Sequence, residues 1–182
     1  MVEEAVFEAK VKIPEGVEVS IDGYKVTVKG PKGVLERTFN YAKGIEIVKE
    51  DNEIIVRAYF PKRRVKAVVG SIAAHIRNMI TGVTRGYRYR LKIVFSHFPV
   101  SVKVEGDKVI IENFLGEKAP RIAKIIGDVK VRVEKDDVIV EGIDIEAVGQ
   151  TAANIELATK ISDFDRRVFV DGIYIYKKEY MD

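Results

Sequence analysis

The sequence predicts an α+β fold built as a tandem duplication of a small domain, each copy an antiparallel sheet backed by a helix. Two observations carry this: the chain aligns with itself at an offset near 80 residues, and each half repeats one order of alternating apolar segments followed by an apolar helical stripe. Val19-Ser20-Ile21-Asp22-Gly23 with Val26 and Val28 matches Val102-Lys103-Val104-Glu105-Gly106 with Val109 and Ile111, and Gly33 falls on Gly116. Further on, Glu50–Val56 matches Glu134–Val140, and Val69–Ile76 matches Val148–Ile155. Finally Arg85-Gly86-Tyr87 lies on Asp171-Gly172-Ile173.

In the first copy, turn signals at Asp22-Gly23, Lys32-Gly33 and Asp51-Asn52 separate apolar alternations, as antiparallel hairpins require. A helix follows, with Val65, Val68, Val69, Ile72, Ile76 and Met79 on one stripe. Pro61 stands in its expected first turn and Gly82 at its expected stop. A strand at Tyr87–Phe95 is expected to close this copy, so the domains read as 1–95 and 96–182, with a linker near Ser96–Val100. In the second copy the helix is expected from Ile145 to Ile161, with Val148, Ala152, Ile155 and Ala158 inward. Pro120–Ile126 reads as a short additional helix.

At 182 residues the chain can bury one good core or two small ones. No run of 18 apolar residues is present, and the acidic start MVEEAVFEAK lacks a signal segment, so an intracellular protein without membrane association is expected. Zero cysteines exclude disulfides, thiolate metal sites and Cys nucleophiles. The net charge of +3 divides unevenly. Residues 1–95 hold 18 Lys/Arg against 11 Asp/Glu, giving +7, and residues 96–182 hold 13 against 17, giving −4. The acidic second copy leaves room for a protein partner.

Between Glu53 and Glu105 no acidic residue occurs, yet eleven cations do: Arg57, Lys62, Arg63, Arg64, Lys66, Arg77, Arg85, Arg88, Arg90, Lys92 and Lys103. Fixed cations without internal partners suit a phosphate backbone, which releases counterions on binding. The competing reading is a solvated face whose charges pair with acids elsewhere in the chain. Two clusters stand out. Lys62-Arg63-Arg64 and Lys66 open a helix, where cations oppose the macrodipole, while Glu141, Asp144 and Glu146 precede or open the corresponding helix of copy two. Arg63, Lys66 and Arg77 share one helix sector. In Arg85-Gly86-Tyr87-Arg88-Tyr89-Arg90-Leu91-Lys92, a strand puts Arg88, Arg90 and Lys92 on one face and Tyr87, Tyr89 and Leu91 on the other. That alternation suits RNA, and equally a core face with a solvent face.

Catalysis has little support. His75 and His97 are the only histidines, and no phosphate-binding loop, nucleophile elbow or His/Cys ligand spacing occurs. Asp163, Asp165 and Asp171 could hold a divalent cation, but Arg166 and Arg167 offer ready ion pairs. No metal, cofactor or small-molecule substrate is expected.

Asn78-Met79-Ile80-Thr81-Gly82-Val83-Thr84-Arg85-Gly86-Tyr87 resembles the end of the first helix in the large-subunit ribosomal protein six family. Arg167-Val168-Phe169-Val170-Asp171-Gly172-Ile173-Tyr174-Ile175 resembles the C-terminal signature of its archaeal and eukaryotic branch. The resemblance implies a structural, non-catalytic protein in the cytoplasmic ribosome. It implies binding to large-subunit rRNA near the stalk base and the sarcin–ricin loop, in support of assembly and translation. It also implies a main rRNA contact through the last loop and strand, here Arg166, Arg167, Asp171, Gly172, Tyr174, Lys177 and Lys178. A glycine at position 172 would let backbone approach phosphate closely. The chain ends Lys177-Lys178-Glu179-Tyr180-Met181-Asp182, without the lysine-rich tail of many bacterial members. Two rivals to rRNA binding are a metal-dependent RNA phosphodiesterase using the late Asp cluster and a protein-interaction module using the acidic copy.

Overall fold

The computed structural model describes residues 5–96, 98–162, 167, 168 and 170–182. The chain divides into two compact units after Arg85. The first contains β1 (Val6–Lys12), β2 (Glu18–Asp22), β3 (Lys25–Gly30), β4 (Gly33–Thr38), β5 (Ile45–Glu50), β6 (Glu53–Tyr59) and the helix α1 (Arg63–Thr84). The second contains β7 (Tyr87–Val94), β8 (Ser101–Glu105), β9 (Lys108–Glu112), a 3-10 turn at Phe114–Gly116, β10 (Arg121–Lys124), β11 (Lys130–Glu134), β12 (Asp137–Gly142), α2 (Ile145–Ala158) and β13 (Gly172–Tyr180).

Each unit holds two small antiparallel sheets packed on one helix. In the first, the sheets run β1-β6-β5 and β2-β3-β4. Val26, Val28, Ile54, Val56, Ile72 and Ile76 are buried between them and α1. In the second, the sheets run β10-β9-β8 and β11-β12-β7-β13. Tyr87, Tyr89, Leu91, Val109, Ile111, Val138, Val140, Val148, Ala152 and Ile155 form its core. Thr151 joins that core because its hydroxyl donates to Ala147 O (2.7 Å) and accepts from Ile126 N (3.0 Å), which satisfies a buried polar group.

The duplication is visible in the backbone. Left-handed residues recur at Gly23 and Gly106 (φ +60° and +58°), Gly44 and Gly127 (φ +77° and +59°), and Asp51 and Lys135 (φ +53° and +54°). Each pair turns the same hairpin or loop in its copy. Asp51 and Lys135 accept an energetically unfavourable conformation for an L-residue because a tight hairpin demands it.

Several expectations change. The strand β7 does not close the first copy; it pairs with β12 on one side and β13 on the other, so it is an interior strand of the second unit. The boundary therefore falls at Arg85/Gly86 instead of after Phe95, and Ser96–Val100 connects β7 to β8 within one unit. Pro120–Ile126 contains the strand β10, held antiparallel to β9. The helix α1 passes through the buried Gly82 and stops at Thr84, ahead of Gly86 at φ +73°. Its N-cap is Lys62, so Pro61 lies just outside, and α2 ends at Ala158, three residues before the expected Ile161.

Moving the boundary also redistributes charge. Residues 1–85 hold 15 Lys/Arg and 11 Asp/Glu, giving +4, and residues 86–182 hold 16 and 17, giving −1. The second unit is nearly neutral.

Removing β7 would leave β13 without a neighbour and β12 paired with β11 alone. A fragment spanning residues 86–182 is therefore expected to unfold cooperatively on heating, monitored by circular dichroism. A fragment spanning 96–182 is expected to show no cooperative transition.

Candidate nucleic-acid interface

The outer face of the second unit's main sheet carries alternate residues of β7, because side chains alternate along a strand. Tyr87, Tyr89, Leu91 and Ile93 point into the core, while Arg88, Arg90 and Lys92 point outward. Their outward neighbours are acids. Arg88 stands directly across from Glu141 on one side and Glu179 on the other. Its guanidinium lies 3.1 Å from Glu141 and 3.4 Å from Glu179. Arg90 donates to Glu179 at 2.6 Å, Lys92 reaches Asp137 at 2.8 Å, and Arg132 closes on Glu141 from β11. Tyr176 sits at the register shift between Ile175 and Lys177, donates its hydroxyl to Asp137 (3.1 Å), and lies under the Lys92 ammonium.

Opposite charges on facing positions stabilise one another and cancel outward field. The hydrogen bond from Arg90, reinforced by Lys177, holds the Glu179 carboxyl down at about 2. The Lys92 hydrogen bond likewise lowers Asp137 below the usual carboxylate range. Arg88 and Arg90, both expected as RNA contacts, are thus occupied within the sheet.

The last strand and its approach are similarly committed. Asp171 is fully buried and accepts from Ser96 N (3.3 Å) and Ser96 Oγ (3.1 Å), so it ties the end of β7 to the start of β13. Gly172 is required by Tyr174: a Cβ there would meet the phenol oxygen at 2.8 Å and Cζ at 2.9 Å. Its lack of a side chain serves this internal packing. Tyr174 donates to Val170 O at 2.9 Å, Lys177 pairs with Glu179 at 3.2 Å, and the exposed Lys178 places its ammonium 5.1 Å from the Tyr89 ring centroid. Arg167 is exposed. Asp163, Asp165 and Arg166 lie outside the described residues, as does His97. Among the described residues, no group of three His, Asp or Glu is placed to hold a metal ion.

The first unit differs at the head of α1. Arg57, inside the acid-free stretch, is held by Glu8 across β1 (3.2 Å) and lies 3.8–4.0 Å from Glu46 and Glu50 on β5. Lys103 of the second unit also has acid partners, Glu112 at 3.2 Å and Glu105 at 3.7 Å. Lys62, Arg63, Arg64 and Arg77, however, are exposed and have no acidic partner among the described residues. No side chain caps α1, and its first turn has no acid, whereas Asp144 accepts from Glu146 N (3.0 Å) at the head of α2. Lys66 is half-buried with its ammonium over the Phe7 ring at 5.6 Å. Arg85 is exposed at the helix end, its N–H bonded to Thr81 O. His75 packs beside Phe39 and Arg37, as a structural residue would.

One residue at this site is not singled out by charge or periodicity. Phe60, between β6 and α1, is 74% exposed with φ +47°. The adjacent aromatics Tyr59-Phe60 before Pro61 are the only signal of it in the residue order.

The duplicated α+β scaffold thus leaves Lys62, Arg63, Arg64 and Arg77 of α1 and its N-cap without acidic partners among the described residues, while Arg88, Arg90 and Lys92 of β7 are paired across their sheet. The sequence model of the family described as ribosomal protein L6 matches residues 13–86 and again 98–172. The chain belongs to that ribosomal protein family, and accordingly is a structural, non-enzymatic protein of the cytoplasmic ribosome. It is 64% identical over 170 residues to the large ribosomal subunit protein uL6 of Aeropyrum pernix, covering 93% of each chain. Identity to the protein of the same name from Saccharolobus solfataricus is 53% over 177 residues, covering 97% of this chain and 98% of that one. For Methanobrevibacter smithii it is 51% over 179 residues, covering 98% and 100%.

The pH response of the sheet follows from Glu179. Its carboxyl falls from an ordinary 4.5 to about 2, so its stabilisation is complete above about 4.5 and is lost as pH falls towards 2. Thermal melts of the protein between pH 5 and 2 are expected to show a falling midpoint. Glu179→Gln is expected to lower the midpoint at pH 7 and flatten that decline.

Proposed function

We propose that the chain is an rRNA-binding constituent of the large ribosomal subunit whose first repeat grips phosphates through Lys62, Arg63, Arg64 and Arg77. The observation that carries it is the absence, among the described residues, of acidic partners for these four, in a protein that pairs its neighbouring cations. Cations at the head of a helix oppose its macrodipole, by about 0.3–1 kcal/mol each in the first turn. The homologous helix start in copy two avoids that cost with Asp144 and Glu146. The fold does not need the basic version; a polyanion does. Backbone N–H groups at the uncapped helix start add donors for the same oxygens.

Arg167 and Lys178 of the second repeat are the supplementary contacts in this proposal, with Lys66 and Arg85 flanking the main group. The resemblance to the family supports a location near the stalk base and the sarcin–ricin loop, with a role in assembly and translation. With a second unit at −1, a protein-binding role through net acidity has weak electrostatic support. The phosphodiesterase alternative loses Asp171, which Ser96 holds in the interior.

Binding to a large-subunit rRNA fragment is expected to weaken linearly in log K against log salt. The double change Arg63→Ala and Arg64→Ala is expected to reduce that slope by about 2, since each arginine that no longer neutralises a phosphate lowers it by about 1. Arg88→Ala is expected to leave the slope unchanged while lowering thermal stability. Equal binding to an arbitrary RNA duplex would rule out specific recognition, and an unchanged slope in the double variant would rule out the helix-start contact.

A further inference from the structure

Phe60 is not explained by the folding of its own unit. It follows β6, its N–H donates to Ala5 O at 2.9 Å, and its backbone adopts φ +47°. That region disfavours any residue with a Cβ, and a bulky aromatic especially. Asp51 and Lys135 also adopt it, but each makes a tight two-strand hairpin, which Phe60 does not. Strain of this kind persists where surrounding structure enforces it and is often used at a site. The side chain gains nothing from the arrangement, since 74% of the residue faces solvent. A small polar residue or glycine would serve the turn better.

The surroundings specify a ligand. Within four residues along the chain stand Lys62, Arg63 and Arg64, all exposed and all without acidic partners among the described residues. Tyr59, 57% exposed, precedes it, with its hydroxyl 3.3 Å from Glu46. An apolar protein partner would gain from the ring but would have to desolvate three unpaired cations, which is costly. A nucleotide satisfies both features, because the base has an aromatic face and its phosphates carry the opposing charge.

Resting on the rRNA-binding reading above, we propose that Phe60 is a stacking platform for an unpaired RNA base, with Lys62, Arg63 and Arg64 holding the phosphates that flank that base. The contact is blind to base identity and selects for an unstacked nucleotide, since a base inside a duplex cannot present its face. It gives the first repeat a preference for RNA geometry that the cations alone cannot supply. Strained backbone fixes the ring outward, so the stacking surface is ready before RNA arrives.

The test compares the full-length protein with Phe60→Ala, Phe60→Trp and Phe60→Gly for binding to deproteinised large-subunit rRNA across a salt series. Phe60→Ala and Phe60→Gly are expected to weaken binding about 5- to 150-fold, the loss of one base stack, with the salt slope unchanged. Phe60→Trp is expected to bind as well as the parent. Phe60→Gly is expected to keep or raise the thermal midpoint, which separates weaker stacking from failure to fold. Unchanged binding by Phe60→Ala, while Arg63→Ala with Arg64→Ala still lowers the slope, would overturn the stacking proposal and leave the phosphate contact standing. If neither set changes binding, both fall together.

Discussion

A guanidinium fixed between carboxylates on neighbouring strands has its field cancelled before any polyanion approaches, and this constraint decides which cations of the molecule remain useful. The first unit places Arg57 on β6 between Glu8 on β1 and Glu46 on β5. The second places Glu141 on β12 between Arg88 on β7 and Lys130 on β11, with Arg132 reaching the same carboxylate. One row, in equivalent strands, carries inverted signs in the two copies. Either polarity fastens the sheet, so each copy needs complementarity across its strands, not a particular charge. The second unit extends its row by one strand, through Glu179 on β13.

This separates two kinds of basic residue that composition treats alike. Arg57, Arg88, Arg90, Lys92 and Arg132 on the sheets are structural, because each has an acid on a neighbouring strand. Lys62, Arg63 and Arg64 stand at the start of α1, and no acid among the described residues neutralises them. The duplication sharpens the contrast. Backbone turns recur at Gly23 and Gly106 and at Asp51 and Lys135, so the shared scaffold is kept. At the helix start, where the scaffold is indifferent, the copies diverge from Lys62-Arg63-Arg64 to Asp144 and Glu146.

Much of the fold was legible because apolar period and turn chemistry are local properties. The offset alignment, both helices and the inward Tyr87, Tyr89 and Leu91 all follow from spacing along the chain. The partner of β7 was not legible, since an α-helix followed by a strand looks the same whether that strand closes one unit or opens the next. Only the pairing with β12 and β13 decides it. The acid-free stretch misled in the same way. Arg88 and Arg90 have no acid within 14 residues in sequence, yet Glu141 and Glu179 lie across the sheet from them. Gly172 looked like a close approach to phosphate, and its neighbour proved to be Tyr174 two residues on. The role of Phe60 escaped because exposure and backbone sign cannot be read from residue order.

The most direct measurement is a high-resolution reconstruction of a large ribosomal subunit containing this chain. The Arg63 and Arg64 guanidinium groups are expected at ion-pair distance from rRNA phosphates, with Arg88 and Arg90 still on Glu141 and Glu179. Arg88 or Arg90 turned onto rRNA, with the helix start facing bulk solvent, would contradict that expectation.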